Sequence, residues 1–125
     1  MKEGSDPRNL GAWGETVAGA YLRRRGYRLL ARNFRCRGGE IDIVARKGRY
    51  VAFVEVKLRR SGDFAEAREF VTAKKQARVI NAAQLWLLKN PTELQPRFDV
   101  IEVYAPEGAD TERPKINHIK DAFEL

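Results

Sequence analysis

The chain has 125 residues, 43% of them hydrophobic, which suits one globular domain with a core of ordinary size. No apolar run is long enough to span a bilayer, and Met1-Lys2-Glu3-Gly4-Ser5-Asp6-Pro7 lacks the apolar stretch of a signal peptide, so a cytoplasmic protein with no membrane partner is expected. A formal charge of +7, with arginine outnumbering lysine, favours a polyanionic partner, although a small basic protein can also carry such charge merely to stay soluble. A single cysteine, Cys36, and a single histidine, His118, exclude an internal disulfide and a Cys/His zinc cage, which leaves an oxygen-bound ion such as Mg²⁺ or Mn²⁺ as the metal to expect.

Residues 1–8 are expected to be flexible. Asp6-Pro7 or Asn9 can start a helix, in which Leu10, Trp13, Val17, Ala20 and Tyr21 recur until Gly26 offers a stop. A first strand is expected over residues 27–34, and Arg35-Cys36-Arg37-Gly38-Gly39 then turns the chain into strands over 40–46 and 50–58. Lys47-Gly48 is the expected tight turn between those two. Residues 59–66 read as a mobile loop, residues 72–89 as a second helix, and Asn90-Pro91 as its end. Residues 97–104 alternate as a strand, and the polar tail 106–125 holds one short apolar segment at 116–119, a candidate edge strand. The order α-β-β-β-α-β predicts an α/β (α+β) domain covering residues 1–125, a mixed central sheet of four to five strands flanked by helices.

The third strand, Val51-Ala52-Phe53-Val54-Glu55-Val56-Lys57, is otherwise apolar on both faces, as befits the middle of a sheet. Burying Glu55 and Lys57 there costs several kcal/mol, by rough estimate, unless each finds a partner. With Lys47-Gly48 as the loop, Asp42 falls opposite Phe53 and Glu40 opposite Glu55, so Asp42 sits diagonally from Glu55 and the two carboxylates can close around one cation. Lys57 shares that face. Phosphodiester hydrolysis builds negative charge on phosphate and leaving oxygen, and two carboxylates holding a divalent ion beside a lysine that handles a water's proton would answer it. Glu15 lies off the apolar stripe of helix one, with Ala18 and Gly19 leaving room for it to reach inward.

Asp42, then Glu55-Val56-Lys57 on the next strand, after a helix carrying Glu15, resembles the signature of the PD-(D/E)XK nuclease superfamily. Gly14-Glu15, Tyr21-Leu22, Gly26-Tyr27, Asn33, Gly39-Glu40-Ile41-Asp42, Phe53-Val54-Glu55-Val56-Lys57-Leu58-Arg59 and Arg97-Phe98-Asp99 together resemble the uncharacterised bacterial YraN-like family, over roughly residues 10–104. The resemblance implies a restriction-endonuclease-like core akin to archaeal Holliday-junction resolvases. It further implies Asp42 and Glu55 as metal ligands, Lys57 as the catalytic lysine, Glu15 as the acid of helix one, and the Val56 carbonyl as part of the metal shell. A supporting polar residue on helix two, Lys75 or Gln76, and a homodimer also follow from it. Ile41 stands where the superfamily's name has proline.

Arg59, Arg60, Lys74 and Lys75 flank these residues and are the expected phosphate contacts. Arg23-Arg24-Arg25 with Arg28, Arg32, Arg35 and Arg37 reads equally well as a phosphate track or as a solvated helix end. The sequence thus points to a Mg²⁺- or Mn²⁺-dependent endonuclease acting on nucleic acid, DNA favoured. The alternative is a nucleic-acid-binding module that kept the fold without turnover. His118 has no evident partner in the sequence.

Overall fold

In the computed structural model, residues 10–60 and 72–124 are described. The segment 1–8 and most of the loop expected at 59–66 lie outside the described residues. Helix α1 (Leu10–Arg24) is followed by strands β1 (Arg28–Cys36), β2 (Gly39–Lys47) and β3 (Tyr50–Arg59), helix α2 (Ala73–Lys89), strand β4 (Gln95–Tyr104), a short 3₁₀ turn and strand β5 (Lys115–Phe123). The strands form one mixed sheet in the order β1-β2-β3-β4-β5. β1, β2 and β3 run as an antiparallel meander, α2 carries the chain over to β4 parallel to β3, and β5 returns antiparallel along the edge. The expected α+β architecture is borne out, with β3 at the centre as its two apolar faces require. No described helix is long and apolar enough to cross a membrane.

Each helix covers one side of the sheet. Ala18 and Leu22 of α1 pack with Ile43, Ala45, Ala52, Val54, Ile101 and Val103, whereas Val79, Ala82, Ala83 and Trp86 of α2 pack with Val44, Val51, Phe53, Phe98 and Val100. Thr72 starts α2, its hydroxyl accepting from the Lys75 N–H at 3.2 Å. The helix is seated by Gly39, where an added Cβ would lie 1.7 Å from the Arg78 carbonyl oxygen, so no side chain fits there.

Two expectations need correction. The β2–β3 turn is Gly48-Arg49, not Lys47-Gly48, because Gly48 takes the positive φ (+58°) at the first turn position and Lys47 pairs with Tyr50. The expected pairs Asp42 with Phe53 and Glu40 with Glu55 are therefore wrong: Val44 is opposite Phe53 and Ile43 opposite Val54. The edge strand is also longer than the apolar stretch 116–119, since β5 runs on to Phe123.

The strand alternation slips once in β2. Ile41 and Val44, three residues apart, both pack on the α2 side, while Ile43 packs on the α1 side. In β1 the same happens between Ala31 and Phe34, around Asn33 at φ +52°. Pairing of β2 with β3 stops at Ile43↔Val54, although β2 stays paired to β1 down to Gly39. A gap opens where β2 parts from β3, and Asp42 stands at its edge.

Candidate active site

The gap is a cavity of about 180 Å³ lined by Gly11 and Glu15 of α1, Glu40 and Asp42 of β2, residues 55–58 of β3, and Lys75 of α2. Asp42, Glu55, Lys57, Glu15 and Val56, singled out in the sequence for one site, all line it. Asp42 Oδ2 accepts the Val56 N–H at 2.8 Å, so a side chain takes over a backbone donor where the β2–β3 ladder has ended. Glu55 is buried, and its Oε2 lies 3.5 Å from Lys57 Nζ and 3.1 Å from Lys75 Nζ. Glu15 is mostly buried, and among the described residues its Oε1 has no hydrogen-bond partner and its ion-pair partner is the Arg32 guanidinium at 3.7 Å.

The charges are unevenly matched. Burial, then the neighbouring Glu55 carboxylate, pushes the Asp42 carboxyl up from its ordinary 3.8 to about 7, against the Val56 hydrogen bond that pulls it down. Glu15 and Glu40 add further repulsion. Lys57 is held below its ordinary range by burial and by the Lys75 ammonium beside it. Lys75 is held above its own, chiefly by its hydrogen bond to Lys57.

The remaining sequence candidates fall in different places. Lys75, expected as a phosphate contact and as the supporting polar residue of helix two, lines the cavity and pairs with Glu55. Arg59 is drawn to the fully buried Glu102, its Nε 3.3 Å from Oε2. Arg60 and Lys74 are exposed. Glu40 is shared between Arg35 and Arg78, each at 3.7 Å.

Sequence reasoning missed a second polar centre on β4 and β5. Arg97 grips the fully buried Asp99 through two hydrogen bonds of 2.8 Å and reaches the Tyr27 hydroxyl at 2.7 Å. His118 Nε2 meets Asp99 Oδ2 at 2.8 Å, and the Tyr21 hydroxyl meets His118 Nδ1 at 3.2 Å. The carboxylate can only accept, so Nε2 carries the proton. Burial by itself would raise the Asp99 carboxyl, but the hydrogen bonds from His118, Arg97 and the Asp121 N–H together hold it below the usual range. The signal that could have found it was the one used for Glu55: acids inside the apolar run Phe98-Asp99-Val100-Ile101-Glu102-Val103.

Among the described residues, no three Asp, Glu, His or Cys side chains cluster tightly enough to form a ready metal cage. The donor type nevertheless fits a hard divalent cation. Glu15 Oε1 is buried without a hydrogen bond, Asp42 is forced toward its neutral form by burial and then by neighbouring carboxylates, and every acidic donor is an oxygen.

Fold and cavity together define a mixed α+β protein with a five-stranded sheet and an acid–lysine site at the gap beside its central strand. The chain belongs to the uncharacterised protein family UPF0102, whose model matches residues 14–103, a span that includes Glu15, Asp42, Glu55, Lys57 and Lys75. It is similar to the UPF0102 protein of Geobacter metallireducens, 47% identical over 119 residues, which are 94% of each chain. A UPF0102 protein of Geobacter sulfurreducens is 47% identical over 93% of this chain and 89% of its own, and one of Clostridium perfringens 41% identical over 94% and 96%. The YraN-like resemblance is borne out at the level of the family.

Proposed function

We propose that the protein is a metal-dependent endonuclease of the PD-(D/E)XK superfamily that hydrolyses phosphodiester bonds in DNA, branched or otherwise structured DNA in particular. The observation that carries this reading is the convergence of Asp42, Glu55 and Lys57 on one cavity beside the unbonded Glu15 oxygen. Asp42, Glu55, Glu15 and the Val56 carbonyl would hold Mg²⁺ or Mn²⁺, which when bound supplies stabilisation for the charge that builds on phosphate and leaving oxygen. The chain's own side chains do the rest. Lys57, depressed by burial and by Lys75, can take a proton from an attacking water at its amine nitrogen. Lys75 keeps its charge and can meet a phosphate oxygen, with the exposed Lys74 and Arg60 along the backbone beyond it. A four-way junction has two equivalent strands to cut, so a homodimer belongs to the same reading.

The test is a cleavage screen over linear, nicked, flapped, single-stranded and four-way DNA with Mg²⁺ or Mn²⁺. Cutting that falls at least about a hundredfold in Asp42→Asn and in Lys57→Ala is the expected result. No cutting of any substrate, or full activity in Asp42→Asn, overturns the reading.

A second reading, a nucleic-acid-binding module without turnover, is favoured by one observation: two lysines already hold Glu55. Salt-sensitive DNA binding that survives Glu55→Ala and Lys57→Ala, with no cleavage, selects it.

A further inference from the structure

A second charged region lies at the other end of β3. Arg46 and Lys47 close β2, Arg49 sits in the turn, and all three are exposed. α1 ends beside them in exposed Arg23, Arg24 and Arg25, and Lys47 Nζ donates to the Arg25 carbonyl at 2.6 Å, which fixes the helix end against the turn. Arg28 of β1 is the register partner of Arg46, so two exposed like charges stand directly opposite each other, a repulsive arrangement unless an anion lies between them.

These cations differ from the other arginines of the strands and of α2. Arg32, Arg35, Arg59, Arg78 and Arg97 each have a carboxylate partner. Arg23, Arg24, Arg28, Arg46 and Arg49 have none among the described residues. They lie in stretches of the sequence, residues 16–39 and 43–54, that contain no Asp or Glu.

Next to the turn opens a cleft of about 870 Å³ with Arg49, Tyr50, Arg97 and Lys120 in its walls, and Asp121 and Glu124 as its acids. The guanidiniums of Arg49 and Arg97 lie 5.5 and 4.9 Å from the centre of the Tyr50 ring. Asp99 pins Arg97 there from behind.

We infer that this turn end, from the α1 arginines across the Arg28–Arg46 pair to the cleft at Tyr50, is a docking surface for the sugar-phosphate backbone of nucleic acid. The inference rests on the preceding reading of the partner as nucleic acid, and not on cleavage. Unpaired guanidiniums match phosphate oxygens in shape and charge, and a phosphate between Arg28 and Arg46 relieves their repulsion. Six residue steps separate Tyr50 from Val56, a distance of roughly 20 Å along the strand. That is the length of about six base-pair steps, so a duplex held at the turn end brings its adjoining stretch to the cavity.

The test is fluorescence anisotropy of a labelled duplex of about 20 base pairs with the full chain in EDTA, titrated with salt. Arg46→Glu with Arg49→Glu, and separately Arg23→Glu with Arg24→Glu, are compared with Arg113→Glu plus Lys115→Glu on the β4–β5 edge. The expected result is affinity at least about tenfold weaker in both turn-end variants, with a salt slope lower by about one for each lost contact, and a control within about twofold of the parent. Glutamine versions carry the comparison if circular dichroism shows a glutamate variant unfolded. Unchanged binding in the turn-end variants, equal loss in the control, or binding to phosphatidylserine vesicles in place of DNA overturns the inference. A parent chain that cuts DNA while its turn-end variants bind normally overturns this inference alone. A parent that binds at the turn end but never cuts overturns the nuclease reading alone.

Discussion

Two groups of buried carboxylates sit on neighbouring strands of one sheet, and they are treated in opposite ways. On β4, Asp99 receives two hydrogen bonds from Arg97, one from His118 and one from the Asp121 N–H, and is held below the ordinary carboxylate range. At the gap between β2 and β3, Asp42 has, among the described residues, a single backbone donor, with repelling acids around it and a carboxyl raised to about 7. The first arrangement is complete as it stands and ties β4 to β5 and, through Tyr21 and Tyr27, to the region of α1. The second leaves negative charge insufficiently compensated in a partly open cavity, the condition under which a cation or a substrate proton finds work.

The contrast can be broken most forcefully at Asp99. Asp99→Ala leaves Arg97 and His118 without their shared partner, and a loss of about 3–5 kcal/mol in urea unfolding is expected. A loss below about 1 kcal/mol would show that the β4 centre is not the structural tie described.

A smaller effect of opposite sign is expected at Asp42. The folded chain keeps the Asp42 proton up to about pH 7, whereas the unfolded chain releases it near 3.8, so the folded state binds more protons between those values. This group's contribution therefore falls as pH rises from about 4 to 7 and stays low above. Asp42→Asn should flatten that part of the profile and be more stable than the parent at pH 8 by about 1–2 kcal/mol, allowing for partial solvation. Unfolding curves at several pH values check it, and a variant less stable than the parent at pH 8 would place Asp42 among the satisfied groups.

Much of the cavity was legible because charge in an apolar strand demands a partner. Glu55 and Lys57 betrayed β3 in that way, and Asp42 followed from the hairpin. The register was read two residues out, since both Lys47-Gly48 and Gly48-Arg49 make a two-residue turn and only the positive φ of Gly48 at the first position separates them. The resemblance pointed to Lys75 or Gln76 as a supporting residue, but the ion pair of Lys75 with Glu55 was not legible, because that reach depends on where Gly39 lets α2 sit. His118 appeared partnerless because Asp99 lies across the β4–β5 pairing, beyond a register shift between Phe98 and Val100, and Tyr21 lies 97 residues away. The far half of β5 was hidden by its exposed Lys120 and Asp121.

The most direct measurement is calorimetric titration of Mn²⁺ into the metal-free chain at pH 6.5, in two buffers of different ionisation enthalpy, with Asp42→Asn alongside. Binding to the parent accompanied by proton release, with both abolished in the variant, is the predicted result, because the cation must displace the proton that Asp42 retains at that pH. Absence of binding to the parent, or equal binding to Asp42→Asn, would contradict the account.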